Sequence, residues 1–267
     1  MKELEIDTFL TSDYIYIPYI SKEKLNLRSN GCVFKDDLIT DNTYSPVSGK
    51  AIGLTEIFGF GGVKKTLIVE NDFKDSVEKK KISVKDLYSL DSSIVIEKTN
   101  KFFKGKELNV NIEFNNKFDL RDNYILKDNI SIILETLNIL DNAYKDININ
   151  ILINKRDLGS YQTLFTYLGT YPNIKVSFKN TKNDTLSLYN VIDIYNDLKN
   201  KNCRDFIYLT LIHDNKIRVI KLKKNSNLKD LLEHIKVMGT DFVINNTIKV
   251  QNPNFLLDEN VRIININ

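Results

Sequence analysis

The chain has 267 residues, 42% of them hydrophobic and 27% charged, which is enough apolar material for two or three small domains that each bury a core. Its 38 basic and 35 acidic residues leave a net charge of +3, a balance that argues against a dedicated nucleic-acid binder, which gathers a clear basic excess on one face. No run of 18 apolar residues offers a transmembrane helix, and the acidic start Met1-Lys2-Glu3-Leu4-Glu5-Ile6-Asp7 lacks the apolar segment of a signal peptide, so a cytoplasmic protein is expected.

Residues 13 to about 72 read as all-β. Tyr14-Ile15-Tyr16-Ile17 is a β-branched and aromatic run closed by Pro18. Asn30-Gly31 is a turn pair ahead of Cys32-Val33-Phe34, and Lys35-Asp36-Asp37 is a second turn before Leu38-Ile39. Ser45-Pro46 opens a segment that runs to Leu54. Gly59-Phe60-Gly61-Gly62 is a hairpin turn, and Thr66 to Glu70 is its returning strand. Short strands at this spacing suggest a small barrel or sandwich.

A charged stretch follows, with Lys79, Lys80, Lys81 and Lys85 as the densest basic group. It reads as a solvated segment between domains. Val84 to Leu90 has helical spacing, with Ser83 as N-cap. Ile94-Val95-Ile96 reads as a short strand or buried segment. From there the pattern alternates: a strand at Leu108 to Ile112, a helix from Asp128 to Leu140, and a strand at Ile147 to Ile153. A helix from Ser160 to Tyr167, ended by Gly169, comes next, then a strand at Ile174 to Phe178 and a helix from Leu188 to Lys199. Such alternation is the mark of an α/β layer with parallel pairing. Beyond residue 204, strands at Phe206 to Ile212 and Lys216 to Leu222 are joined at Asp214-Asn215. Ser226 caps a helix from Leu228 to Val237, and strands follow at Phe242 to Ile244, Thr247 to Val250 and Val261 to Ile266. This order suggests a small grasp-like α+β unit.

The residues that could carry chemistry are few. Gly59-Phe60-Gly61-Gly62 has no helix after it, so it lacks the helix N-terminus that helps hold phosphate. His213 and His234 have no carboxylate or thiolate at metal-ligand spacing, and a surface role is expected of both. Cys32 and Cys203 are the only cysteines. A cubane iron–sulfur cluster normally takes four thiolates, so none is expected from this chain. Neither a Ser-His-Asp set nor a carboxylate pair is recognisable.

Three blocks, within residues 15–52, 110–122 and 206–237, resemble the RnfC-type electron-transfer subunits. The first comprises Ile15-Tyr16-Ile17-Pro18, Asn30 to Ile39 and Ser45-Pro46-Val47-Ser48-Gly49-Lys50-Ala51-Ile52. It is similar to the barrel-sandwich hybrid that opens RnfC and the quinone-oxidoreductase subunit NqrA. Carrier domains share that shape, but no lysine lies in their modification turn, so Lys50 reads as a surface strand residue. The second block, Val110 to Asp122, resembles the family's flavin-site segment and keeps Asn111 and Asp122. Phe114, Asn115, Asn116 and Lys117 stand where the family has Glu, Cys, Glu and Pro. The family's glycine-rich loop should fall near 94–104, where no glycine occurs until Gly105, and side chains there would block close approach of a phosphate. The third block, 206–237, resembles the β-grasp module called SLBB.

The resemblance implies an α/β plus all-β chain: a barrel-sandwich hybrid over 1–78, a Rossmann-like α/β domain over 79–203 and a β-grasp module over 204–267. It implies a non-catalytic scaffold or adaptor of an RnfC- or PrdC-like reductase complex, with protein partners, no nucleic acid and peripheral membrane association through a partner. No cofactor is expected and FMN is not. Asn111, Asp119, Arg121 and Asp122 are the candidate residues at the degenerate cleft, with Asp122 expected to cap the helix near Ile130 or to hold the loop. The alternatives are a quinone or flavin held in a remodelled cleft, and a barrel-sandwich carrier.

Overall fold

The computed structural model describes residues 6–9, 12–20, 22–78, 84–104, 106–114, 118–178, 185–201, 204–214, 216–239 and 241–266. The architecture is mixed α/β with several sheets. It divides into two units, Met1–Lys79 with Asn202–Asn267, and Lys80–Lys201. Among the described residues no helix is long and apolar enough to cross a membrane.

The first part of unit 1 carries strands β1 (Ile6–Phe9), β2 (Tyr14–Pro18), β3 (Cys32–Val33), β4 (Leu38–Thr40), β5 (Thr43–Tyr44), β6 (Gly49–Gly59) and β7 (Gly62–Asn71). In β2 the strand period puts Ile15 and Ile17 fully inside. They meet Val33, Ile39, Val47, Leu67 and Val69 in one apolar cluster. Strands β6 and β7 form a long hairpin, paired from Gly49↔Asn71 to Gly59↔Gly62. Its turn is the expected one: Gly61 sits at φ +83, where L side chains rarely go. Among the described residues these strands do not close into a barrel: β2 remains an end strand of its sheet.

Unit 2 runs through α1 (Val84–Leu87), α2 (Ser92–Thr99), β8 (Glu107–Asn111), α3 (Arg121–Ala143), β9 (Asn148–Leu152), α4 (Leu158–Tyr167) with a 3₁₀ turn at Leu168–Thr170, β10 (Ile174–Ser177), β11 (Thr185–Ser187) and α5 (Leu188–Leu198). The four strands are all parallel, in the order β10-β9-β8-β11. Leu108 and Val110 of β8 and Ile149 and Ile151 of β9 are buried, as are Ile133, Leu134, Leu137 and Leu140 along α3.

Two expectations are corrected here. Residues 94–96 are helical, because Asp91 caps α2 by accepting from Ser93 N at 2.7 Å, and Val95 and Thr99 share its buried face. Helix α3 starts at Arg121, seven residues before the expected Asp128; the backbone kinks at Asn129 (φ −123, ψ 19), close to the expected start. Ser83, Lys79, Lys80 and Lys81 lie outside the described residues.

The chain then returns to unit 1 with β12 (Phe206–His213), β13 (Lys216–Lys223), β14 (Ser226–Asn227), α6 (Leu228–Ile235), β15 (Phe242–Ile244), β16 (Ile248–Val250), β17 (Phe255–Leu257) and β18 (Ile263–Ile266). The cap of α6 is Asn227, which accepts from Lys229 N at 3.0 Å; Ser226 instead donates to Lys223 O at 2.8 Å. The hairpin between β12 and β13 pairs His213 with Lys216, with Asp214 at φ 49.

Segments 1–78 and 204–267, expected as separate domains, share both large sheets. One has the order β1-β13-β12-β18-β15-β16 and the other β14-β17-β6-β7-β2, with β3 also on β6. β1 pairs parallel with β13, and β17 pairs parallel with β6. Buried charges reinforce the junction. Lys35 Nζ lies 2.9 Å from Asp75 and 2.8 Å from Asp205, and Lys223 Nζ lies 2.7 Å from Asp75.

Candidate functional site

The strand order of unit 2 reverses at β8: β9 and β10 extend to one side and β11 to the other. Open α/β sheets bind ligands outside the carboxyl ends of their strands at such a reversal. Asn111 ends β8 at this point, with Ser187 of β11 and Leu152 of β9 as its neighbours in register. The other three candidates gather just beyond it.

The loop after β8 leads into the first turn of α3, which holds Arg121 and Asp122. Asp122 accepts from Glu113 N at 3.0 Å through one carboxylate oxygen and from Arg121 Nε at 3.1 Å through the other. The Arg121 guanidinium sits 5.2 Å from the ring centre of Tyr189, on α5. Asp119, Arg121 and Asp122 are 2%, 6% and 2% exposed. Asp119, Arg121 and Asp122 are therefore buried just beyond the end of β8, while Asn111 is half-buried. Asp122 holds the loop, one of its two expected roles; it does not cap a helix near Ile130, because it already lies inside α3.

The helix ends around this point are also satisfied from within. Ser187 accepts from Asn190 N at 3.2 Å while Asn190 accepts from Ser187 N at 2.9 Å, a reciprocal cap on α5. In the segment where the resemblance places a glycine-rich loop, Asn100 N donates to Ile96 O at 3.0 Å and Phe102 N to Thr99 O at 2.9 Å. Phe103 packs against Tyr144, with ring centres 5.0 Å apart, and Thr99 Oγ1 lies 2.7 Å from the Tyr144 hydroxyl.

Unit 1 contains a feature that sequence reasoning missed. A cleft of about 920 Å³ lies between the residues leading into β2, helix α6 and the loop before β17. Ser12, Tyr16, Asn227, Asp230, Glu233 and His234 are among its lining residues. Ser12 Oγ donates to Asp230 Oδ2 at 2.5 Å. Burial pushes the Asp230 carboxyl above its ordinary range, aided by Glu233 and Asp13 and opposed by the Ser12 hydrogen bond. Burial also raises the Tyr16 phenol, against a hydrogen bond from Asn227. A carboxyl group tuned in this way, in a concave polar setting, can hold or exchange a proton. The one available signal was the polar spacing of Asp230, Glu233 and His234 on α6; the contact with Ser12 spans 218 positions.

The remaining candidates are dispersed. His213 ends β12, with Nδ1 3.6 Å from Asp214 Oδ2. Cys32 is a free, exposed thiol in β3, and Cys203 lies outside the described residues. Lys50 lies in β6 and is exposed. Among the described residues no group of three or more His, Cys, Asp or Glu side chains is placed to hold a metal ion. No family model matches this chain, and no curated protein matches it.

Proposed function

We propose that the chain is a non-catalytic scaffold or adaptor subunit of an RnfC- or PrdC-like electron-transfer or reductase complex. The carrying observation is the orientation of Asp119, Arg121 and Asp122. They lie at the sheet reversal, where a cofactor cleft is expected, yet they are buried, and Asp122 ties the loop after β8 to α3. The helical backbone at 92–99 supports the same reading, since its amides are used inside α2. In this reading unit 2 is a Rossmann-like layer that has given up its cofactor. The sheets of unit 1 are the barrel-sandwich and β-grasp elements, and they supply docking surface. The partners are proteins of the complex, and any membrane association is peripheral and runs through them.

The test is copurification from the native host with crosslinking before lysis. Recovery with a subunit that carries flavin or an iron–sulfur cluster is the expected result. Recovery as a lone monomer sinks the proposal. A second reading, a small-molecule binder, is favoured by the polar cleft around Asp230. A flavin or quinone absorbance band in the gently purified chain would decide for it.

A further inference from the structure

A second cleft of unit 1, of about 610 Å³, has a different character. Its lining includes the five consecutive residues 248–252, which are β16 and the two residues after it. Side chains of a strand alternate between its two faces, so consecutive residues line one cavity only when the cavity runs along the strand's edge. β16 is the last strand of its sheet, and among the described residues no strand pairs with its outer side. The groove therefore runs beside an open row of backbone donors and acceptors.

The opposite wall is the tip of the β6–β7 hairpin, with Gly59, Gly61 and Gly62. Glycines there leave backbone within reach of an incoming chain. Phe58 lines the groove and is 58% exposed, and its cross-strand partner Val63 is 54% exposed. Phe255, itself buried, also lines the groove. Exposed apolar groups set along a free strand edge are the layout of strand addition, in which backbone hydrogen bonds give affinity and pockets for alternate side chains give specificity.

Charge selects the occupant. None of the residues lining the groove is acidic, and Lys249 is basic. Lys64 supplies a second ammonium at the hairpin turn, its Nζ 3.8 Å from where a Cβ on Gly61 would stand. An apolar groove edged by two lysines complements a strand that alternates apolar and acidic residues.

We infer that this groove docks an extended acidic segment of a partner protein, which adds as a strand to the outer edge of β16. The inference rests on the reading of the chain as an adaptor and names the chemistry of what it holds.

The experiment uses the purified full chain and a blocked hexapeptide of alternating glutamate and valine, with fluorescence anisotropy for affinity and amide chemical shifts for location. The expected result is binding at least tenfold tighter than that of a lysine–valine peptide, with shifts centred on residues 248–252. Phe58→Ser, a change at an exposed position, should weaken binding about tenfold. Lys64→Glu with Lys249→Glu should reverse the preference between the two peptides. Equal affinity for both peptides, or shifts centred elsewhere, overturns the inference. A concentration-dependent dimer that Phe58→Ser abolishes, with no peptide binding, assigns the groove to a second copy and overturns it as well. Peptide binding that passes these controls stands even if copurification finds no oxidoreductase subunit; that outcome removes the adaptor reading alone. Copurification that survives both the Phe58 and the lysine variants removes the groove assignment alone.

Discussion

Replacing Lys35 by methionine tests how unit 1 is held together. The substitution keeps an unbranched stem and deletes an ammonium that is almost fully enclosed: the Lys35 side chain is 7% exposed, and that of Asp205 is 11% exposed. Removing one partner of a buried ion pair costs about 3–5 kcal/mol, because it strands the other charge. Asp75 keeps Lys223 at 2.7 Å, and its side chain is 38% exposed, so solvent screens part of its loss. The low end, about 3 kcal/mol, is expected. Two decades of equilibrium correspond to about 2.8 kcal/mol. The slowest amides of β12 and β13 should then exchange with solvent about a hundredfold faster. Hydrogen exchange suits the question because it reads these strands directly and does not require the whole chain to unfold in one step.

The double variant Lys35→Met with Asp205→Leu replaces the pair by apolar groups, an exchange that is often neutral or stabilising. It should recover most of the lost protection. An acceleration under fivefold in the single variant would refute the reasoning. So would a double variant that costs the sum of its parts, since independent sites add and coupled ones do not. The pH dependence gives a further check. Burial alone would raise the Asp75 carboxyl, but Lys223 and Lys35 overcome it and hold it below 3.8. Its stabilising share is present above 3.8 and disappears as pH falls through the depressed folded value. Without Lys35 the folded value lies closer to 3.8, so that loss should be smaller and complete at a higher pH. Burial opposes the Lys35 charge too, but Asp205 and Asp75 raise it above 10.5. Its share is complete below 10.5 and is lost as pH rises through the raised value.

Asp122→Ala removes the acceptor of Glu113 N and Arg121 Nε; hydrogen bonds to charged groups contribute about 1.5–3 kcal/mol each, so protection of the Glu113 amide should fall by at least tenfold. Ser12→Ala deletes the hydrogen bond that opposes the upward shift of Asp230, and a carbon-detected NMR titration should find that carboxyl titrating higher still. The sign for stability is the reverse of Asp75: with the folded value above 3.8, stability falls as pH rises through it, and more steeply in the variant. Gly49→Ala would set a Cβ 1.9 Å from Glu70 O, and overpacking of that kind costs about 1–3 kcal/mol. Gly53→Ala meets nothing within 4 Å and should leave thermal unfolding unchanged or raise its midpoint; equal losses at both positions would count against the β6–β7 register.

Local patterns were legible in the sequence, and long-range ones were not. Alternation marked β2, β8 and β9, because each has one buried face: Ile15 and Ile17, Leu108 and Val110, Ile149 and Ile151. The Ile94-Val95-Ile96 triplet misled because β-branched residues favour strands, while the deciding cap, Asp91 on Ser93 N, lies just outside it. The three-residue strands β11 and β17 have no period to detect; parallel partners far along the chain define them, Asn109 to Asn111 for β11, Phe58 and Gly59 for β17. Asn111, Asp119, Arg121 and Asp122 were singled out by resemblance, and the sheet reversal brings them together. The burial of Asp119, Arg121 and Asp122 was not readable, because it depends on how the loop after β8 is tied to α3 and how α3 meets α5.

The joining of residues 1–79 with 202–267 changes where function should be sought. Three features of unit 1 are built from both segments: Ser12 meets Asp230, Lys35 meets Asp205, and Phe58 and the β6–β7 turn line one groove with residues 248–252. Three self-sufficient modules would each carry a docking surface within one stretch of sequence. Here the second wall of each feature arrives only after the 80–201 unit has been made. The groove at β16 and the cleft at Asp230 therefore need both segments of unit 1 in place, an arrangement that the Lys35–Asp205 and Lys223–Asp75 contacts help to hold. Lys35→Met should thus lower amide protection and make peptide capture at β16 fail at a lower denaturant concentration, whereas Phe58→Ser should weaken capture in native buffer with amide protection intact. That difference separates the contact that binds a partner from the contacts that build the surface.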